Sequence, residues 1–544
     1  MYNNLRKRFG EFLISKNLIT NQKIEEALSY QSEHKELKIG EIIYKLGFLD
    51  QEQVLNQLSE FLDKQYVMLE GLVMSEELSE IFSLDFMTKN NFVPFELSEK
   101  VLKVAIDDIN NFELKTSIES IASKNNFSVK YFISFVNQIN KYLDSNYIEK
   151  VSFGKNIPQL VDFIIEEGIK RNSSDIHIEP VTKNRVRIRY RIDGQMVLSK
   201  IGIPKEEYEE IVSRIKILAN LNTTEKRRPQ DGHISDFKAK DGVLFDIRVS
   251  IVSIAYGEKV VLRLLNKNEQ IKELVALGFS DYQVSLIKNN IRHKNGIIFV
   301  TGATGMGKST TLYTTLHILN RIFSNVITLE NPVERTIEGL NQISINDAIG
   351  VTFSNTLRTV LRQDPDVIMV GEIRDKETLS IALEASMTGH LVLTTLHTNS
   401  AVQTIDRVNS MGIDMYNFAA SLLLVISQKL IKKLCTSCRI EYSPSSEDLE
   451  YIRSTIKEPL EKDIKIFKSC GCSKCNNGYL GREVVCELFE KDEKIEKLLI
   501  NKASSAEVQE YLNTTGFNSI KHHAIQKVFS GITSLDEVKS IFAE

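Results

Sequence analysis

The chain has 544 residues, room for about three or four domains at roughly 150 residues each. Apolar residues make up 42% and charged residues 26%, ordinary globular usage that excludes bulk disorder and fibrous classes. With 68 Lys and Arg against 72 Asp and Glu, the net charge of −4 gives no global drive toward nucleic acid or anionic lipid, so such a partner needs a local patch.

The start, MYNNLRKRFGEF, has basic residues but no apolar core and does not read as a secretory signal. The longest apolar stretches, such as residues 296–300 and 419–426, fall far short of the roughly 20 residues of a transmembrane helix, and the cytoplasm is the expected location. Residues 1–61 read as helices at 3.6 periodicity and contain a repeat. RFGEFLISKNLITNQKIEEALSYQ from Arg8 and KIGEIIYKLGFLDQEQVLNQLSEF from Lys38 align without a gap, pairing Gly10 with Gly40, Leu13 with Ile43, Ile24 with Val54 and Leu28 with Leu58. Residues 62–150 shorten into strands such as VLKVAI (101–106) mixed with helices, a small α/β unit without a chemical motif. The polar stretch DSNYIEKVSFGKNIP reads as a linker. Beyond it RVRIRYRI, from Arg185, alternates strictly, with Val186, Ile188, Tyr190 and Ile192 on one face and four arginines on the other. A second linker near NKNEQIKE leads, from about residue 279, into alternating strands and helices, the pattern of a parallel sheet covered by helices.

GIIFVTGATGMGKSTTLYTTL contains a P-loop, Gly302-x-x-x-x-Gly307-Lys308-Ser309, between an apolar strand and a helix. Backbone N–H groups of Gly302, Ala303, Thr304, Gly305, Met306, Gly307, Lys308, Ser309 and Thr310 are candidates to cradle phosphates, with Lys308 on the β and γ groups and Ser309 on Mg²⁺. Two further strand ends are expected to flank the P-loop strand. VITLENPVE brings Glu330 and Glu334, and PDVIMVGEIRD brings Glu372, any of which could order or deprotonate water. The strand end Gly371-Glu372, in place of an in-strand Asp, makes an atypical Walker B. TGHLVLTTLHTNSA puts His390 before a strand and His397 after it; either senses the γ-phosphate or satisfies core hydrogen bonds.

All six cysteines lie between Cys435 and Cys486, unlike a disulfide framework spread through a fold. Cys435-x-x-Cys438 and Cys472-x-x-Cys475, with 33 residues between the pairs, have the spacing of a structural Zn²⁺ site. Cys470 and Cys486 are left over, and Cys470 is a competing ligand.

The ordered set GATGMGKST, TLENPVE, LRQDPDVIMVGEIRD and TGHLVLTTLHTN, preceded by SSDIHIEP, YRIDG, EKRRPQDGHI, DIRVS and YGEKVVLRLL, resembles the secretion-superfamily ATPases that power type II secretion and type IV pilus assembly. That resemblance covers nearly the whole chain and implies a multidomain α/β fold. Its parts are a helical to α+β N-terminal regulatory domain (1–61 and 62–150), an arginine-bearing α+β, PAS-like domain (151–270), and a RecA-like ATPase domain (271–544) with a zinc subdomain at about 430–485. It places Glu330 and Glu334 in an Asp box, Glu372 in Walker B and His390 and His397 in a His box. It also implies that Arg191, Arg228, Arg248 and Arg263 reach the nucleotide from the preceding domain. Asn331, His233 and Ser400 depart from the usual Asp, Arg and Asp. A homohexamer is implied, hydrolysing ATP with Mg²⁺ and turning an inner-membrane platform protein. It would sit at the cytoplasmic face of that membrane through its partners, with no direct nucleic-acid contact.

The tetracysteine insertion resembles that of pilus-extension and type II secretion ATPases, so pilus assembly is the leading expectation and type II secretion its sister. A nucleotide-gated adaptor that scarcely hydrolyses and a DNA-uptake ATPase are the rivals. The repeat resembles the cyclic di-GMP-binding domain found on some of these ATPases. Copy one matches at Arg8, Phe9, Gly10, Leu13, Ile24, Leu28 and Gln31; copy two has Lys38 for Arg, then Gly40, and Phe61 for Gln. Arginine could stack on guanine and glycine admit a phosphate; the other reading is a helical adaptor for a membrane-platform protein.

Overall fold

The computed structural model describes residues 2–543 except 34–37, 73, 75–77, 79, 80, 83, 147, 148, 151–155, 184, 185, 200, 204, 268, 269, 321–323, 457–463, 473 and 474. Parts of both linkers, Arg185 and the side chain of Arg8 lie outside the described residues. The chain divides into two compact units, Met1–Ile234 with Arg248–Arg263 and Ser235–Ile247 with Leu264–Glu544.

In the first unit the repeat forms four helices, α1 (Tyr2–Ser15), α2 (Asn21–Glu33), α3 (Ile39–Lys45) and α4 (Gln51–Leu62). The aligned positions make the same contact twice. A Cβ on Gly10 would lie 3.2 Å from Ile24, and one on Gly40 would lie 3.3 Å from Val54 and 3.2 Å from Leu58. Both glycines let paired helices approach closely. Next come β1 (Phe92–Ser98), β2 (Val101–Ile106) and β3 (Ser128–Ile133). The first two pair antiparallel and β2 with β3 parallel, the helix Phe112–Lys124 making the crossover that parallel strands require. Phe9, Leu13, Ile43 and Val54 share one core with Phe92, Val104 and Ile133, so repeat and sheet fold together.

Helix α5 (Ile157–Lys170), capped by the Asn156 side chain, buries Leu160, Val161, Ile164 and Ile165. It precedes β4 (Asp175–Pro180), β5 (Val186–Ile192), β6 (Gln195–Leu198) and β7 (Gly257–Asn266). β4 pairs antiparallel with β5 and with β7. The alternation in β5 is as read: Val186, Ile188 and Tyr190 are buried, with half-buried arginines between them. Those arginines are paired, since Arg187 and Arg189 reach the Glu179 carboxylate at 2.9 and 2.8 Å, joined by Lys259 at 2.9 Å. Burial alone would raise the Glu179 pKa, but Arg189, Lys259 and Arg187 hold it down at about 2.

The second unit is built on a seven-stranded sheet. Its strands are β8 (Gly296–Thr301), β9 (Val326–Glu330), β10 (Asn341–Ser344), β11 (Val367–Val370), β12 (Leu391–Leu396), β13 (Leu422–Leu434) and β14 (Tyr479–Glu490), in the order β10-β9-β11-β12-β8-β13-β14. All pairs are parallel except β13 with β14. Every residue of β8 and β12 is buried, as expected of strands covered on both faces. Ile297 and Phe299 enter one core, Ile298 and Val300 the other. The neighbours of β8 are β12 and β13, which corrects the expectation that the two acid-bearing strands flank it. β12 stands between the P-loop strand and the strand leading to Glu372.

Candidate nucleotide site and cysteine cluster

At its carboxyl end β8 enters a loop containing three glycines with positive φ, Gly302 (141°), Gly305 (79°) and Gly307 (79°). A Cβ on Gly302 would sit 2.5 Å from the Gln428 carbonyl oxygen, so the approach to β13 itself demands glycine. Helix α6 (Lys308–Leu319) begins directly after Gly307, presenting the unpaired N–H groups and positive dipole end that favour an anion. Ala303, Thr304, Gly305, Ser309 and Thr310 are exposed, and Met306 and Gly307 are half-buried. Lys308 Nζ donates to the Gly302 and Ala303 carbonyls at 2.8 and 3.0 Å. Burial lowers its pKa, and the charge of Glu372 opposes the shift.

Glu372 follows β11 and His397 follows β12, so the sheet brings them together, His397 Nε2 lying 3.7 Å from the carboxylate. The turn at Glu372 is clamped: Thr395 donates its hydroxyl to the Gly371 carbonyl at 2.7 Å, and the Ile373 N–H donates to the Thr395 carbonyl at 3.1 Å. Arg374 pairs with Glu372. The His397 pKa is lowered by burial and by the charge of Lys308, with Glu372 working against both. A neutral imidazole beside a carboxylate, close to a lysine charge, can orient water or take its proton.

The other expected acids and histidine divide. Glu330 ends β9 buried, its carboxylate accepting from the Tyr313 hydroxyl, from Thr328 Oγ1 at 2.6 Å and from Gln342 Nε2 at 2.9 Å. So occupied, it braces β9 against α6 and β10; burial and its charge raise the Tyr313 pKa well above the usual range. Glu334 is exposed. His390 precedes β12, its Nδ1 2.9 Å from the Ala385 carbonyl at the end of α7 (Lys376–Met387). The length of β12 separates it from His397 by about 20 Å, and of the two readings its contact matches the core hydrogen bond. A γ-phosphate beyond the carboxyl ends of the strands lies at the other end from His390.

Arg191, Arg228, Arg248 and Arg263 all belong to the first unit. Asp175 on β4 gathers two of them: Arg263 Nε donates to Oδ1 at 3.0 Å and Arg191 Nε lies 3.6 Å from Oδ2. Arg228 is exposed and Arg248 half-buried.

The sequence reading overlooked Arg374, although it stands inside GEIRD, and Gln428, whose partners lie 117 and 122 residues away.

Cys435 directly follows β13, and the second cysteine pair lies on the approach to β14. The four Sγ atoms all lie within 4.8 Å of one another. Cys435 to Cys472 is 3.9 Å, Cys438 to Cys475 is 3.7 Å and Cys472 to Cys475 is 3.6 Å. A tetrahedron with Zn–S bonds of about 2.3 Å has edges of about 3.8 Å, so the donor set fits that ion. The Cys472 N–H donates to Cys475 Sγ at 3.2 Å. Cys470 is exposed outside this group, and Cys486 is buried, its pKa raised by that burial.

In the repeat, Leu13 and Gln31 are buried and Leu28 is partly buried against the same core. Arg8 is inside α1, not at a helix start. The glycines' missing Cβ positions face Ile24 and, in copy two, Val54 and Leu58, as described, so each has a packing role. In copy two Lys38 pairs with Asp107 at 2.9 Å, and Phe61 packs at 5.4 Å from Phe9 and from Phe12.

The glycine loop on a parallel strand, with a lysine and an acid–imidazole pair beyond it, defines a P-loop ATPase. Comparison with known proteins carries this further. A family model described as "Type II/IV secretion system protein" matches residues 152–540, and one described as "MshEN domain" matches residues 62–152. The chain belongs to the type II/IV secretion system protein family. It is 34% identical over 563 residues to the type IV pilus assembly ATPase PilB of Myxococcus xanthus, covering 98% of each chain. It is 42% identical over 390 residues to the type II secretion system ATPase E of Vibrio cholerae, covering 71% of this chain and 76% of that one. The solved structure of the Legionella pneumophila ATPase DotB shares the fold, with a TM-score of 0.55 at 23% identity over 74% of this chain and 99% of that one. Among the described residues no helix is long and apolar enough to cross a membrane.

Proposed function

We propose that this chain is the ATP-driven motor of type IV pilus assembly, working as a homohexamer on an inner-membrane platform protein from its cytoplasmic face. The observation that carries this reading is the likeness to a pilus assembly ATPase over 98% of both chains, N-terminal region included. Type II secretion is the second reading, favoured by the higher identity of 42% over the 390 residues shared with ATPase E. Replacing the chromosomal copy with Lys308→Ala tests the pair: surface pili disappear if the first holds. Intact pili with lost exoprotein secretion overturn it in favour of the second.

In the mechanism we assign, loop residues Gly302 to Thr310 take the phosphates of ATP, Lys308 turns from the loop carbonyls to the β and γ groups, and Ser309 holds Mg²⁺. Glu372 orders the attacking water with His397 beside it, and Glu330 keeps β9 in place. Arg191, Arg228, Arg248 and Arg263, on a PAS-like domain, answer charge on the transferring phosphoryl group. The four cysteines hold structural Zn²⁺ in a subdomain at about 430–485. The proposed modules remain 1–61, 62–150, 151–270 and 271–544.

Cyclic di-GMP is assigned to the N-terminal region. The reading is supported by the MshEN match, which begins at residue 62, after the repeat. Copy one would supply the larger share of contacts, because Lys38 and Phe61 of copy two are engaged with Asp107 and with Phe9 and Phe12. Calorimetry of the full chain with cyclic di-GMP is expected to give a saturable heat; none would leave the helical adaptor.

A further inference from the structure

Strand β13 sets one residue against the phosphate loop that no motif marks. Gln428 is fully buried, at 0% exposure, and both ends of its amide are used. Its Nε2 donates to the Met306 carbonyl at 2.7 Å, and its Oε1 accepts from the Thr311 hydroxyl at 2.9 Å. Turning the amide over would set two acceptor oxygens face to face at Met306, so the Met306 carbonyl fixes its sense, and the Thr311 hydroxyl satisfies the oxygen that this sense leaves on the other side. Gly307 leaves room for this contact, since even a Cβ there would lie 3.4 Å from the Gln428 nitrogen.

In a planar trans peptide the C=O and N–H point in opposite directions. Drawing the Met306 oxygen toward β13 therefore turns the Gly307 N–H away from the strand. The near side is filled by β13, whose Gln428 carbonyl leaves no space for a side chain on Gly302; the far side is where an anion can sit. We propose that Gln428 is a positioning residue for phosphate binding: its buried amide sets the Met306–Gly307 peptide so that the Gly307 N–H faces the phosphates of the bound nucleotide. Thr311 is its partner in this, anchoring the other end of the amide by its hydroxyl. The proposal rests on the reading of residues 302–310 as the ATP site.

A phosphate contact made equally in bound ATP and in the transition state affects KM and leaves kcat nearly unchanged, whereas a partly unfolded enzyme loses kcat at constant KM. Steady-state ATP hydrolysis by the full chain separates these outcomes. Losing one such hydrogen bond in Gln428→Leu is expected to raise KM about tenfold, with kcat within about twofold. Thr311→Val is expected to raise KM about threefold, and Thr311→Ser to restore it. A Gln428→Leu enzyme with the parent KM, whether or not kcat falls, overturns the proposal. If Gln428→Leu does not fold, the Thr311 pair decides, and an unchanged KM in Thr311→Val overturns it. Lys308→Ala keeps the two levels apart. Turnover surviving there means the ATP site itself is misassigned, while turnover lost there with KM unmoved in Gln428→Leu refutes only the role of Gln428.

Discussion

The phosphate loop and the cysteine cluster border the same strand, β13, yet they are built for opposite relations to their ligands. The loop has an exposed mouth, and its lysine and Gln428 both bond loop carbonyls, so protein atoms alone define its shape. The cluster brings four thiols within 4.8 Å of one another, an arrangement that thiolates keep only around a cation. On the proposed reading, one site gains and loses its ligand in each cycle, while the other would make its ion part of the fold.

That contrast predicts a separation of effects, the largest at the acid proposed to order the attacking water. Glu372→Gln should lower kcat by about a hundredfold or more, with ATP affinity and melting temperature near the parent values; turnover within a few fold would remove Glu372 from the mechanism. Cys472→Ser should do the reverse. Metal analysis should find about one zinc per parent chain and less in the variant, with a lowered melting temperature, and a metal-free parent that melts normally would break the comparison. A smaller effect concerns His397, whose pKa is depressed by burial and by Lys308 and supported by Glu372. Its NMR titration should move up in Lys308→Met and down in Glu372→Gln, and a midpoint indifferent to both would dissolve the proposed pair. The smallest effect is in the repeat. Gly40→Ala meets two side chains at 3.2 and 3.3 Å and Gly10→Ala one at 3.2 Å, so neither should show the gain of about 1 kcal/mol that alanine has over glycine in a helix, and Gly40→Ala should be the less stable of the two. A full gain of about 1 kcal/mol in both would remove the packing role of these glycines.

The P-loop was legible in the sequence because its chemistry fixes residue types at short spacing: glycines for the turn, lysine for charge, a strand before and a helix after. The cysteine pairs were legible for the same reason, and the alternation of β5 announced its buried face. Sheet order was not legible, since apolar runs such as VIMV and LVLTTL fit any position in a parallel sheet. This misplaced the acid-bearing strands beside β8. His390 and His397 look equivalent along the sequence, and only the direction of β12 shows that one faces the site while the other closes off α7. The repeat announced its glycines but not their use, because close approach to a helix and to a phosphate demand the same missing Cβ. Gln428 had no local signal at all, its two partners being more than a hundred residues away.

Hydrolysis is what the loop, Glu372 and the motor reading all require. Phosphate release by the purified full chain, with ATP and Mg²⁺, should proceed steadily in the parent and be absent in Lys308→Ala. A parent chain that binds ATP and releases no phosphate, or a Lys308→Ala chain that turns over like the parent, would contradict that reading.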